Sequence, residues 1–419
     1  MKVTFCTFDR AGDVGGTSTW LRGLAPALVA RGMEVEVQIF QGRRVDYPNA
    51  QWFRRAGIPV VHIVGKDTAE VAEQALSRLR SSPPDIYVPN LIVSGYFAAA
   101  EVARYGIPTV GVIHSDDPVC VGFVEEFAGG NSHWNVSAMV CVSRYLEEFV
   151  RQKAAADAEV KYIPYGVPIP RDSARWPDGK FRIVYSGRLS EEQKRIGDTM
   201  RQIIAALREA PGEIEAVIYG DGPDWKMVED LIKTEGAGLD ITLAGRIEPE
   251  AVAGEIVRGH AFVLLSEYEG LPIALLEAMV CGLVPICTRI RSGNAELITH
   301  GENGFLIERG ELIAPHIRSL RTDRAKWERM SGLARGRIAG NYSDTSSYDR
   351  WREFLTALGG ESRFARRMGH VPRRLSTPLP PINPHLAGLD NRYPRLGERI
   401  RNRLARAIGA GIGNRSDAC

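Results

Sequence analysis

Two carboxylates eight positions apart, Glu269 and Glu277, flank a strand-to-helix turn in the run Ser266-Glu267-Tyr268-Glu269-Gly270-Leu271-Pro272-Ile273-Ala274-Leu275-Leu276-Glu277-Ala278-Met279. The apolar residues Ala261 to Leu265 before them read as a buried parallel strand. Pro272 suits the start of the helix that carries Leu275, Leu276 and Met279. Glu269 is then expected at the carboxyl end of a strand and Glu277 about a turn and a half inside the next helix. Open α/β sheets bind ligands at such strand ends, where a helix also presents its positive pole. A buried glutamate costs stability unless donors satisfy it, and ligand hydroxyls are donors, so the pair suits the grip of a polyol. The spacing alone is weak, because two glutamates on a helix usually form a solvated face; the strand, the Gly-Leu-Pro turn and the apolar helix around them carry the reading.

A second set of residues suits an anion. Tyr185-Ser186-Gly187-Arg188-Leu189-Ser190-Glu191-Glu192-Gln193-Lys194-Arg195 follows an apolar strand, and there Arg188 offers a planar fork while Lys194 offers a compact charge on a long stem. Arg195 stands ready to share or replace the role of Lys194. Near the N-terminus a strand runs into Gly12-Asp13-Val14-Gly15-Gly16-Thr17-Ser18, where Gly15 and Gly16 let backbone N–H groups approach an anion at a helix start. Neither the dinucleotide fingerprint nor the P-loop pattern is present in that run. Asp116 and Asp117 are adjacent, so their side chains need not converge, and the Asp-x-Asp of a nucleotide-bound metal is absent.

At Glu269 to Met279, continuing through Cys281-Gly282-Leu283-Val284-Pro285-Ile286, the chain resembles the retaining, metal-independent glycosyltransferases of GT-B fold, in particular glycosyltransferase family 4 with its E-x7-E signature. That resemblance implies that Glu269 contacts a donor sugar and Glu277 a ribose, with Gly270 and Leu271 in the same turn. It implies that Arg188 and Lys194 hold a nucleotide diphosphate, that Gly15 and Gly16 belong to the donor loop, and that Arg246 and Ile247 lie where the base is bound. It also implies that His114, after Val110-Gly111-Val112-Ile113, touches the donor sugar. Neither cofactor nor metal is expected; the partners implied are a nucleoside-diphosphate sugar and a glycan or lipid-linked acceptor. Two other readings stay open: a sugar-nucleotide epimerase of the same fold and a non-catalytic sugar-nucleotide-binding scaffold.

The elements that must position these residues alternate along the chain as apolar runs and helix-length amphipathic segments, the pattern of doubly wound α/β sheets. Strands are expected near Val3 to Phe8, Val35 to Phe40, Val60 to Val64, Ile86 to Pro89, Thr109 to Ile113, Ala138 to Val142 and Val160 to Ile163. A second series runs near Phe181 to Ser186, Ala216 to Tyr219, Ile241 to Ala244, Ala261 to Leu265 and Val284 to Cys287. The Pro- and Gly-rich stretch between the series cannot continue either element. The expected division is a Rossmann-like acceptor-side domain over 1–165, a linker over 166–180, a Rossmann-like nucleotide-sugar domain over 181–342, a helix crossing back over 343–358, and a tail over 359–419. The two sheets would face each other across a cleft. The later turns Gly293-Asn294-Ala295-Glu296 and Gly301-Glu302-Asn303-Gly304 are given structural roles.

Composition sets bounds. The 419 residues suit two domains and an appendage, and 44% hydrophobic with 25% charged residues is a globular balance. A net charge of +2 gives no reason to expect a nucleic-acid partner. Charge is uneven, however: residues 361–419 hold twelve Arg and no Lys against four acids. Within them Leu396, Ile400, Leu404, Ile408 and Ile412 recur every four residues among arginines, so a helix over 395–412 would be basic and amphipathic, suited to an anionic membrane surface or to docking on the body. Val371 to Pro394 is Pro-rich and expected to be extended or disordered. The first residues are interrupted by Asp9-Arg10 too early for a signal peptide, and no apolar run reaches about 18 residues. Residence in the cytoplasm is expected, with the inner face of the membrane as a second location. The cysteines show no zinc-site spacing.

Overall fold

The structure is a computed structural model that describes residues 1–9, 15–41, 44–129, 132–156, 158–360, 371–381 and 383–389. Its first half is a parallel sheet of β1 (Lys2–Phe8), β2 (Glu34–Phe40), β3 (Val60–Ile63), β4 (Ile86–Val88), β5 (Val110–Ile113), β6 (Ala138–Cys141) and β7 (Glu159–Tyr162). The order β3-β2-β1-β4 continues through one parallel bridge, Tyr87 to Thr109, into β5-β6-β7. The second half contains β8 (Phe181–Ser186), β9 (Ile214–Tyr219), β10 (Ile241–Gly245), β11 (Ala261–Leu264), β12 (Val284–Thr288) and β13 (Phe305–Ile307), ordered β10-β9-β8-β11-β12-β13 and parallel throughout. Each sheet reverses its winding once, between β1 and β4 and between β8 and β11. A crevice opens at such a reversal, outside the carboxyl ends of the strands.

The central strands form where the chain is apolar on both faces, as parallel strands covered by helices tend to be, while β7 and β10 are partly exposed. Phe5 and Val37 in the first sheet and Ile183, Phe262 and Ile286 in the second are fully buried. Helix Gly16–Ala30 covers the first sheet with Leu21, Leu24 and Leu28, and helix Ile196–Glu209 covers the second with Met200, Ile203 and Leu207. Neither helix nor strand interrupts residues 164–180. There Val167 N–H donates to Tyr342 O at 3.0 Å and Asp344 N–H to Val167 O at 3.0 Å, so the connection into the second half lies beside the path back.

That return path is helix Asp344–Gly360, which packs on helix Gly16–Ala30. Trp351 meets Trp20 with ring centroids 5.5 Å apart, and Arg31 pairs with Asp349 at 2.8 Å. The Tyr348 hydroxyl rests over Gly23, where an added Cβ would lie 2.3 Å from it. Beyond the helix, the described residues 371–381 and 383–389 form a strap on the first half, an irregular run of bends with one 3-10 turn at Pro384–Leu386. Val371 and Leu386 are fully buried. Ser376 donates through N–H at 3.3 Å and Oγ at 3.0 Å to the buried carboxylate of Glu101, and Arg80 donates to Val371 O at 2.6 Å. The expected extended segment is thus a docked one over its described part. The amphipathic pattern over 395–412 and residues Gly12, Asp13 and Val14 lie outside the described residues. No helix among the described residues is long and apolar enough to cross a membrane.

Candidate active site in the interdomain cleft

The carboxyl ends of β8, β9 and β10 are zipped together by backbone bonds: Gly187 N–H to Tyr219 O at 3.1 Å, Leu189 N–H to Asp221 O at 3.0 Å, and Gly220 N–H to Gly245 O at 2.8 Å. Gly220, at φ +136°, sits so close that an added Cβ would lie 1.8 Å from Gly187 O, which only glycine permits. On this platform Tyr185 Oη donates to Arg188 O at 2.8 Å, while the Arg188 side chain is exposed and makes no hydrogen bond or ion pair among the described residues. Arg246 is also exposed, 3.9 Å from Glu248, and Ile247 beside it is half-buried.

The one-turn helix Glu191–Lys194 ends at Arg195, whose φ of 47° and ψ of 48° place it in the left-handed region that residues with a side chain seldom adopt. This turn separates two neighbouring cations. Lys194 Nζ reaches Glu269 Oε1, which also accepts from Ser266 Oγ at 2.6 Å. Arg195 points elsewhere, to Asp198 at 2.6 Å and Glu267 at 3.8 Å. The loops after β8 and β11 are held in register by Glu267 N–H donating to Gln193 O at 2.8 Å. Lys194 and Glu269 therefore meet at the winding reversal of the second sheet, with Glu269 only 5% exposed. Pro272 caps helix Ile273–Val280 from just outside it, and Glu277 lies in that helix, partly buried. Burial pushes the Glu277 carboxyl up to about 8.

The first half closes over this turn. Gly270 packs directly on the His114 carbonyl, where an added Cβ would be 1.8 Å from the oxygen, and Gly16 faces Ile273 Cδ1 at 3.7 Å from its own ideal Cβ. Leu271 is buried behind it. Gly15 caps helix Gly16–Ala30 with no side-chain hydrogen bond to the first-turn N–H groups. The His114 ring is buried between Asn90 Oδ1, 2.6 Å from Nε2, and the Tyr165 hydroxyl at Nδ1. Burial pushes its pKa down to about 3, so the ring is neutral near pH 7. Both ring nitrogens being taken, a contact from this ring to a sugar requires exchange of a partner. Asp116 and Asp117 do diverge: Asp116 accepts from Tyr145 Oη at 3.0 Å, and Asp117 caps helix Pro118–Val124.

Some of the participants escape a sequence reading. Ser266 stands in the quoted run with nothing to mark its bond to Glu269. Arg22 is 6% exposed, bonded to Asn49 Oδ1 at 3.0 Å, with Nη2 buried and unpartnered. A cation inside the apolar stripe Trp20, Leu21, Leu24 was the available signal for it. Glu296, in helix Asn294–Leu297, crosses to the first half to accept from Tyr145 N–H at 3.2 Å and Tyr162 Oη at 3.3 Å, and no spacing announces that.

Comparison with known proteins bears on the family and the fold. A model of Glycosyltransferase Family 4 matches residues 14–171, and one of Glycosyl transferases group 1 matches residues 168–337. The chain is similar to 2-deoxystreptamine N-acetyl-D-glucosaminyltransferase of Niallia circulans, 28% identical over 41% of this chain, and spans under half (44%) of that relative's length. D-inositol 3-phosphate glycosyltransferase of Arthrobacter sp. (strain FB24) is 24% identical over 71% of this chain and 79% of its own. Among solved structures, Anabaena HepE in complex with UDP superposes with a TM-score of 0.68 at 20% identity, over 85% of this chain and all of that one (100%). The two sheets and the cleft between them are the GT-B fold.

Proposed function

We propose that this chain, which belongs to the glycosyltransferases of GT-B fold, moves a sugar from a nucleoside diphosphate to an acceptor hydroxyl with retention and without a metal. The observation that carries this is the Lys194–Glu269 pair, brought to the winding reversal of the second sheet, with the His114 carbonyl from across the cleft packed on Gly270 beside it. The anomeric carbon–oxygen bond to the diphosphate breaks, and charge grows on the departing phosphate oxygen. Lys194, the free-standing Arg188 and nearby backbone N–H groups are positioned to take up that charge. The acceptor oxygen bonds to the anomeric carbon from the same face, and its proton passes to the leaving diphosphate. Glu269, already an acceptor from Ser266 and Lys194, takes hydrogen bonds from sugar hydroxyls, and Glu277 takes them from the ribose. His114 stays neutral and acts by shape and hydrogen bonding rather than as an acid.

The UDP-bound relative in fold makes a uridine nucleotide the first donor to try, and the basic tail favours a lipid-linked or cell-envelope acceptor at the inner membrane face. A thermal-shift panel with UDP, GDP, ADP and their sugar conjugates tests the reading. Stabilisation by one base series, rising with the attached sugar, is expected; no shift with any member overturns it.

A further inference from the structure

The Gly293-Asn294-Ala295-Glu296 turn has no part in the chemistry above, yet it touches both sides of the cleft. On its own side Gly293 N–H donates to Gly270 O at 2.7 Å, and any side chain there would strike that oxygen at 2.7 Å and Leu271 at 2.5 Å. The turn is rigidly built: Asn294 is fully buried, its N–H held by Ser292 Oγ at 3.1 Å, and Arg337 donates to Glu296 O at 2.5 Å.

On the far side the Glu296 carboxylate enters the first turn of helix Arg144–Lys153. Oε1 accepts from the backbone N–H groups of Arg144 and Tyr145, and Oε2 from Tyr162 Oη. Ser143 Oγ takes the next donor, Leu146 N–H, at 3.2 Å. Helix starts leave such donors unsatisfied and favour a negative charge; here the other half of the molecule supplies it. Tyr145 in turn donates to Asp116, two residues after His114, whose carbonyl rests on Gly270. The contacts run in a closed ring: Gly270, Gly293, Glu296, Tyr145, Asp116, His114 and back to Gly270.

We infer that Glu296 is a positioning residue, a clasp that draws helix Arg144–Lys153 onto the second half and so sets the closed geometry in which the first half covers Glu269. The clasp acts on the same cleft and rests on the transferase reading. When the halves part, the helix start exchanges the carboxylate for water, and closing restores two charge-assisted bonds at once. A carboxamide keeps one acceptor oxygen of the same reach, whereas a methyl group keeps none.

The test uses the full chain with spectroscopic labels on one surface site in each half, and compares wild type, Glu296→Gln and Glu296→Ala with and without saturating UDP. In wild type UDP is expected to narrow the interlabel distance distribution to one short population. Glu296→Ala should leave it broad, with UDP affinity changed less than threefold, and Glu296→Gln should recover most of the short population. A short population as large in Glu296→Ala as in wild type overturns the clasp, as does failure of Glu296→Gln to do better than Glu296→Ala. If wild type itself binds no nucleoside diphosphate, the transferase reading fails first, and the two failures are distinct.

Discussion

At the scale of residues, the two cations after β8 differ in what they already do. Lys194 is tied to the nearly buried Glu269, so removing its charge strands a carboxylate and, on the proposed function, also removes a phosphate contact. Arg188 has no such tie. Lys194→Ala is therefore expected to cost about 3 kcal/mol of stability in addition to turnover, while Arg188→Ala leaves stability within about 0.5 kcal/mol and lowers turnover roughly a hundredfold or more. Chemical denaturation alongside initial rates separates the two; near-normal rates in both variants remove the phosphate assignment. Glu277 gives a pH signature. Its folded pKa, about 8, stands above the ordinary glutamate value because burial disfavours the charged form. The protonated side chain thus favours the fold, fully so below pH about 4.5, and that contribution is lost as pH rises through about 8. Glu277→Gln, which cannot ionise, should match wild type near pH 4 and exceed it by on the order of 2 kcal/mol at pH 9, solvent access having trimmed the full shift. Denaturation midpoints at both pH values check this, and parallel curves would show the carboxyl ionising freely.

At the scale of elements, the contact between Gly270 and the His114 carbonyl is set by the absence of a side chain. Gly270→Ala puts a carbon 1.8 Å from that oxygen, backbone against backbone, and neither strand end has a flexible side chain to move aside. The halves must then separate by an ångström or more at the site. Each sheet should fold, seen as native far-UV circular dichroism and near-normal UDP binding, while turnover falls on the order of a hundredfold, the scale of an ångström misplacement. Retained turnover would mean that this contact does not define the working state. The same segment shows what a sequence reveals. The strands are short runs rich in apolar residues, so β1 through β12 stand within two residues of where those runs place them. The exception, β13, is the three residues Phe305–Ile307, too short to rise above its neighbours. The Lys194 and Glu269 neighbourhood was legible because both follow a strand and a turn. Which of Lys194 and Arg195 faces the cleft was not, since the answer is a left-handed backbone at Arg195 that no side-chain pattern encodes. Glu296 was invisible for a related reason: its partners are backbone N–H groups about 150 residues earlier, and such groups leave no mark in the letters.

At the scale of the whole molecule, the end of the chain has two parts with separable physics. The strap over 371–389 belongs to the folded body. Glu101 is fully buried, with Oε2 receiving Arg104 at 2.9 Å and both Ser376 donors while Oε1 has no partner. Cutting the chain after Gly360 removes the Ser376 donors from a carboxylate that water does not reach, and uncovers the apolar sites of Val371 and Leu386. Leu386 lies against Gly122, where a Cβ would come within 2.9 Å of its Cγ, so that surface has no side chain of its own to refill it. Burying a carboxylate without its donors and opening apolar surface both cost free energy, and a melting temperature several degrees lower is expected. Residues 390–419 instead carry charge, with seven arginines against three acids, and charge of that density draws a chain toward anionic lipid by about 1 kcal/mol per basic residue near the surface. A chain ending at Leu389 keeps the strap and loses the arginines. It should melt with the full-length protein yet fail to sediment with phosphatidylserine vesicles, whereas the full-length protein is expected to bind them at low salt and to release them at high salt. Sedimentation of both chains alike would place the lipid affinity elsewhere, and a lowered melting temperature in the Leu389 truncation would show that the basic segment supports the fold.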